Sequence, residues 1–209
     1  MFSMKNDYPK SLADPSIRQE RIRLLKKRHI LPLTTLVNDI RKERGLRAEV
    51  PYFDPLDGGI QARCLFVLEA PGPKAIESGF VSRNNSDETA KNFFRFNKEV
   101  GLQRKKTIIW NIVPWYLGSG ERIQPAKSAD IKAGFPYLVQ LIHKLPKPKV
   151  IILLGNKAQR TKKELQGHWK GPIVDCYHPS PSCVNRDRAR IEKSITNTLR
   201  EAKNIVMNA

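Results

Sequence analysis

Cys64–Pro73 reads CLFVLEAPGP. Cys64–Leu68 is a nearly unbroken apolar run, the pattern of a strand buried on both faces of a sheet. Glu69 ends that run. Pro71-Gly72-Pro73 then stops any ladder, because two of these three residues have no N–H to donate. A buried strand therefore ends at a carboxylate and a stiff loop. In open α/β sheets, ligands sit just outside the carboxyl ends of the strands. The junction is thus a candidate ligand site, set against the plainer reading of a strand exit with a solvated Glu.

Working outward, three more runs read as strands: Thr107–Val113 (TIIWNIV), Val150–Leu154 (VIILL) and Ile173–Tyr177. Helical patterns lie between and around them. One starts at Asp14-Pro15-Ser16. A second follows Pro32, with Leu33, Leu36, Val37 and Ile40 on one face and Gly45 at its end. A third, capped by Ser86, runs over Asp87–Val100 with Ala90, Phe93, Phe94 and Val100 inward. A fourth reaches from Ser128 toward Lys144, weakened or kinked by Gly134 and Pro136. The last spans Arg188–Val206. Strands alternating with helices predict an α/β fold, a three-layer α/β/α arrangement around a central four-stranded, mainly parallel sheet. Residues 1–50 read as an N-terminal helical segment packed on a domain of residues 51–209.

The 209-residue chain is 40% apolar, enough for a packed core, and carries a formal net charge of +18 with a pI of about 10.1. Such an imbalance calls for a polyanionic partner, nucleic acid first. No apolar stretch approaches the roughly 20 residues that span a bilayer, and no secretory signal opens the chain. A soluble intracellular monomer is expected, in the cytoplasm and nucleoid or in a nucleus. Cys64, Cys176 and Cys183 form no C-x-x-C pair, so neither a disulfide framework nor a zinc site is expected, and they are too few for a usual iron–sulfur cluster. No metal or cofactor is expected. The basic run Arg18–His29 is either a solvated helix face or a DNA-facing surface.

Three strand ends carry special residues: Glu69 with Pro71-Gly72-Pro73, Asn111 with Pro114-Trp115-Tyr116, and His178-Pro179-Ser180. In a parallel sheet all three lie on one edge, which gathers a carboxylate, a carboxamide, an imidazole and aromatics around one crevice. LEAPGP at Leu68–Pro73, NIVPWYLG at Asn111–Gly118 and HPSPS at His178–Ser182, in this order, resemble the motifs of the uracil-DNA glycosylase superfamily. The likeness covers about Cys64 to Arg186. It implies a four-stranded parallel sheet between helices, and a DNA repair enzyme that flips uracil out of DNA and hydrolyses its N-glycosidic bond.

The resemblance also implies roles. Asn111 matches the residue that reads the uracil edge, and His178 the one that stabilises the departing base. Phe80 matches the aromatic that stacks on the base. Ala70, Pro71 and Gly72 would hold base and water through backbone N–H groups, and Trp115 and Tyr116 would help to close the pocket. Ser180, Pro181 and Ser182 lie in the loop that would enter the minor groove, with Arg186, Arg188, Arg190 and Arg83 on phosphates. There are departures. Leu68 stands where the first motif usually has Gly. Ala70 stands where some members carry a water-orienting Asp, which leaves Glu69 as the candidate catalytic carboxylate, set against a structural role. Gly72 stands where the most uracil-selective members carry an aromatic ring. Glu69 brings the motif closest to the iron–sulfur type, yet its cluster cysteines are missing. The reading is a cluster-free, monofunctional glycosylase acting on uracil-containing DNA. A non-catalytic damaged-DNA binder on the same fold is the alternative, and a basic RNA-binding scaffold a third class.

Overall fold

The computed structural model of the chain describes residues 6–45, 49–119 and 122–207. Helix α1 (Pro15–Leu24) begins where the Asp14 carboxylate accepts from the Ser16 N–H, and Pro15 takes a position that needs no N–H. Helix α2 (Leu31–Arg44) starts just before Pro32 rather than after it, because proline is tolerated in a first turn. Gly45, at φ 64°, closes it. Leu33, Leu36, Val37 and Ile40 of α2 are buried in one continuous core with the sheet.

The central sheet contains β2 (Cys64–Leu68), β4 (Thr107–Asn111), β5 (Val150–Leu154) and β6 (Ile173–Cys176), in the order β4-β2-β5-β6 and parallel throughout. Strands β4 and β5 are buried along their whole length, and β2 is buried from Cys64 to Val67, as their unbroken apolar runs require. Leu68 is in register with Asn111, and Leu154 with Cys176. Glu69, Asn111, Gly155 and His178 therefore come out on one edge of the sheet.

Strand β4 stops at Asn111 rather than Val113. The N–H groups of Ile112 and Val113 still reach the carbonyls of Leu68 and Glu69 before Pro114 ends the pairing. Two elements escape a reading by periodicity because each is only two residues long. These are β1 (Tyr52–Phe53) and β3 (Phe80–Val81), which pair in parallel with each other. Phe53 of β1 stacks on Trp110 of β4 with centroids 4.0 Å apart, joining the small pair to the sheet.

Helix α3 (Pro73–Ser78) replaces part of the expected loop, because Pro73 can open a helix as readily as it ends a strand. Helix α4 (Glu88–Val100) is capped by Asp87 rather than Ser86, since the Asp87 carboxylate is the acceptor for the Ala90 N–H. Its buried phenylalanines are Phe93 and Phe96, one turn apart, and not Phe94. Helix α5 (Ser128–Lys144) is continuous through Gly134 and Pro136. Short helices α6 (Asn156–Gln159), α7 (Lys162–Leu165) and α8 (Pro181–Val184) precede the long α9 (Arg188–Met207). Helix α4 packs on α9, and α2 on α5.

A buried ionic cluster ties the early chain to the rest. The Asp54 carboxylate binds Arg21 of α1 at 2.7 Å, Arg104 at 2.7 Å and the Ser82 hydroxyl. Burial alone would raise the Asp54 pKa, but the Arg104 and Arg21 guanidiniums hold it well below the carboxylate range. Arg104 also binds Asp57 and Asp7.

Gly134 shows why α5 needs a residue without a side chain. A Cβ there would stand 2.3 Å from the Ile112 carbonyl oxygen and 2.9 Å from the Val113 Cα. Gly134→Ala must push α5 off the end of β4. It is expected to cost about 1–3 kcal/mol despite alanine's better helix propensity, as measured by chemical denaturation. An unchanged midpoint would mean that α5 has room to spare.

Candidate active site

A cleft of about 420 Å³ opens at the carboxyl edge of the sheet. That is a volume typical of small-molecule sites. Leu68–Ala75 forms one wall, Val81, Ser82, Arg83 and Asn85 another, and Ala90 with Phe93 of α4 an apolar third. Asn111, His178 and Pro179 complete it, and Ile123 stands at its rim.

Most polar groups around the cleft are already engaged. Asn85 accepts from the Ser78 hydroxyl and donates to the Phe80 carbonyl. Ser82 donates to Asp54, and Asp87 caps α4. Asn111 is different. It is 2% exposed, and among the described residues its Nδ2 has no hydrogen-bond partner. A buried amide left without a partner costs about 1–3 kcal/mol, so this donor is held ready at the expense of stability.

His178 is positioned from several sides. Its Nδ1 accepts the Ser180 N–H at 3.2 Å. That bond makes Nδ1 the unprotonated nitrogen of a neutral ring and leaves the proton on Nε2. Burial pushes the His178 pKa down to about 4. Asn92 of α4 holds the next residue, donating to the Pro179 carbonyl at 2.9 Å. Gly155 underlies the ring at φ 87°, where a Cβ would lie 3.1 Å from the Cβ of His178.

Glu69 lines the cleft, but its Oε1 accepts the Ala126 N–H at 2.6 Å. Lys157 donates to the carbonyl of the same residue at 2.6 Å. Glu69 thus anchors the strap that presents Ile123, whose Cδ1 would be 3.9 Å from a Cβ at Gly72.

The cleft brings together Glu69, Ala70, Pro71, Gly72, Asn111 and His178. Three other expected members are placed elsewhere, and a fourth, Arg83, lines the cleft but is engaged within the protein. Phe80 is 1% exposed and packs with Leu12, Ile17 and Leu25; its neighbour Val81 faces the cleft, because successive strand residues point to opposite sides. Trp115 lies edge-on to Tyr137 beneath the Arg44 guanidinium, outside the cleft lining. Tyr116, also outside it, donates its hydroxyl to the Arg122 carbonyl. Arg83 lines the wall, but it is 4% exposed and its guanidinium bonds Thr107 at the far end of β4, so it is not placed to meet phosphates. Ser180, Pro181 and Ser182 flank His178 at the start of α8, and Arg186, Arg188 and Arg190 are exposed beyond it. Phe93, Val81 and Ile123 were not foreseen as cleft residues. Phe93 follows the helical period of a core residue, and only the packing of α4 puts it on the cleft wall.

A cleft with apolar walls, an amide donor and a neutral imidazole thus lies at the carboxyl ends of parallel strands, where α/β proteins take their ligands. The family model described as the Uracil DNA glycosylase superfamily matches residues 55–202. The chain belongs to that superfamily. Membership brings DNA as the substrate and glycosylase chemistry, a hydrolytic reaction of DNA repair. Comparison with curated proteins found no match.

An unfolded histidine titrates near pH 6.5, so between about 6.5 and about 4 the unfolded chain binds more protons than the folded one. The His178 contribution to stability is therefore complete above that window and declines as pH falls through it. NMR of the imidazole should show a neutral ring protonated on Nε2 at pH 7, with a midpoint near 4. Gly155→Ala, which displaces the ring, should move that midpoint toward 6.5. A wild-type midpoint already near 6.5 would show a solvated ring.

Proposed function

We propose that the protein is a monofunctional uracil-DNA glycosylase that hydrolyses the N-glycosidic bond of flipped uracil and leaves an abasic site. The observation that carries this reading is the buried Asn111 carboxamide, with its unpartnered Nδ2 in the same cleft as a neutral His178. A uracil edge offers a carbonyl oxygen, a ring N–H and a second carbonyl oxygen. Asn111 would donate from Nδ2 to one carbonyl and accept the ring N–H at Oδ1. The Nε2–H of His178 would donate to the other carbonyl, where negative charge gathers as the bond to the sugar breaks. A donor held ready for developing charge is typically worth about 10²–10³ in rate. Phe93 and Val81 supply apolar contact for the extruded base in place of Phe80. Exposed Arg186 and Arg190 beside the His178 loop would hold phosphates, and flipping costs least at mispairs. The proposed compartment is wherever the cell keeps its DNA.

The decisive assay is incubation with a uracil-containing oligonucleotide followed by alkali cleavage. Asn111→Ala and His178→Ala should each lower single-turnover cleavage by roughly 10²-fold or more, with DNA binding little changed. Near-normal cleavage in either variant would remove that residue from the chemistry.

One observation favours a second reading, a damaged-DNA binder without turnover. Ala70 offers no carboxylate, and Glu69 spends an oxygen on Ala126. Glu69→Gln keeps the acceptor for the Ala126 N–H but loses the charge. A small loss of rate is expected if Glu69 only anchors the strap, and a loss near 10²-fold if it activates water.

Gly72 and Ile123 bear on base range. Among the described residues, the space over Gly72 is bordered by the tip of Ile123, and one methyl group is worth only about 1–3 kcal/mol of discrimination. Uracil should be the best substrate, with weaker cleavage of some 5-substituted uracils opposite guanine. A panel of uracil, 5-fluorouracil, 5-hydroxymethyluracil and thymine tests this. Strict rejection of every substituted base would show the pocket closed there.

A further inference from the structure

The amino edge of the sheet, opposite the cleft, is built from basic segments. Four segments meet there: 26–29 (KKRH), 58–63 (GGIQAR), 103–107 (QRKKT) and 143–149 (HKLPKPK). Backbone hydrogen bonds stitch them together. The His29 carbonyl accepts from Ile60, Thr107 from Gly58, and Lys106 from Arg63, each at 2.8 Å, and Arg63 accepts from Lys149 at 2.7 Å. None of the four contains an Asp or Glu. Asp54 and Asp57, just before the second segment, are buried and committed to Arg21 and Arg104, and Glu99, before the third, lies 3.8 Å from Arg200.

Some of this charge has local work. Arg63 donates to the Val206 carbonyl at the end of α9, and Lys144 sits in the last turn of α5, where the helix dipole favours a cation. Lys26, Arg28, Lys105 and Lys147 do not share that work. All four are exposed, and among the described residues none is in an ion pair. Lys105 is close enough to feel the buried Asp57 and Asp54 carboxylates, which Arg104 and Arg21 already neutralise. Clustered cations on adjoining, mutually bonded segments repel one another, and a row of phosphates would relieve that repulsion.

The five-residue strands β2, β4 and β5 set this surface about 15 Å from the cleft edge, before loops are counted. A duplex seated on the carboxyl edge cannot also touch the amino edge without wrapping around the domain. We propose that Lys26, Arg28, Lys105 and Lys147 form a second, non-catalytic binding surface for the backbone of another DNA segment, so that one molecule holds two segments at once. Such a surface would let the protein pass from one duplex to the next without leaving DNA.

The test uses short, uracil-free duplexes carrying donor or acceptor dyes, mixed with the full chain at low salt. The wild-type protein should bring the two together and give energy transfer. The combined variant Lys26→Gln, Arg28→Gln, Lys105→Gln and Lys147→Gln should lose it. On long DNA, the slope of log affinity against log salt should fall by about 3 to 4. Should the combined variant fold poorly, each single Gln variant should still lower the slope by about 1. Excision of uracil from a short duplex should be unchanged. No transfer with the wild-type protein at any concentration, or full transfer with the combined variant, would overturn the proposal, and tighter bridging of RNA than of DNA duplexes would overturn the choice of DNA. The readout needs no cleavage, so a protein that never excises uracil would leave it intact.

Discussion

The Asp54 carboxylate holds together parts of the chain that no continuous strand or helix connects. It takes Arg21 from α1, Arg104 from the turn before β4 and the Ser82 hydroxyl from the cleft wall. A buried ion pair gains little against a well-packed apolar alternative, but loss of one partner strands the others without solvent. The cluster is thus better understood as a device for specifying position than as a source of stability. It sets β1 beside β3 and turns Val81 and Ser82 toward the cleft.

A second constraint acts at the other edge of the sheet. Parallel strands put all their carboxyl ends together, so functional groups far apart in sequence become neighbours. Most polar groups around the cleft are bonded within the protein, and among the described residues Asn111 Nδ2 has no partner while the Nδ1 of a neutral His178 is taken by the Ser180 N–H, which leaves Nε2–H to donate. Neither carries a charge, so both can enter a desolvated pocket and face developing charge on a base. Apart from buried Arg21, Arg83 and Arg104, much of the positive charge is exposed, where phosphates could be met through solvent.

Glu69 shows how one residue can answer to two demands. Its place at the end of β2 suggests chemistry, and its bond to Ala126 shows architecture. The strap it anchors puts Ile123 over Gly72, so the missing side chain at Gly72 is partly replaced from a distant point in the chain.

The unbroken apolar runs of β2, β4 and β5 determined the sheet by themselves, because a strand buried on both faces has no other stable environment. The break after β2, at Glu69, marked the cleft edge for the same reason. The amide and imidazole of Asn111 and His178 were legible because strand ends in a parallel sheet must converge. Only the tertiary structure decided which neighbours face inward. Phe80 and Val81 are adjacent and equally apolar, yet one is turned to α1 and the other to the cleft, since the pairing of β3 with β1 sets the alternation. Arg83 reads as a surface cation and is buried, because Thr107 and the Asp57 carboxylate draw it inside. Ile123 carries no local signal at all. The strap that carries it is held by hydrogen bonds from Ala126 to Glu69, from Lys157 to Ala126 and from Tyr116 to Arg122, and contacts across such separations as 69 to 126 leave no pattern in the residues nearby.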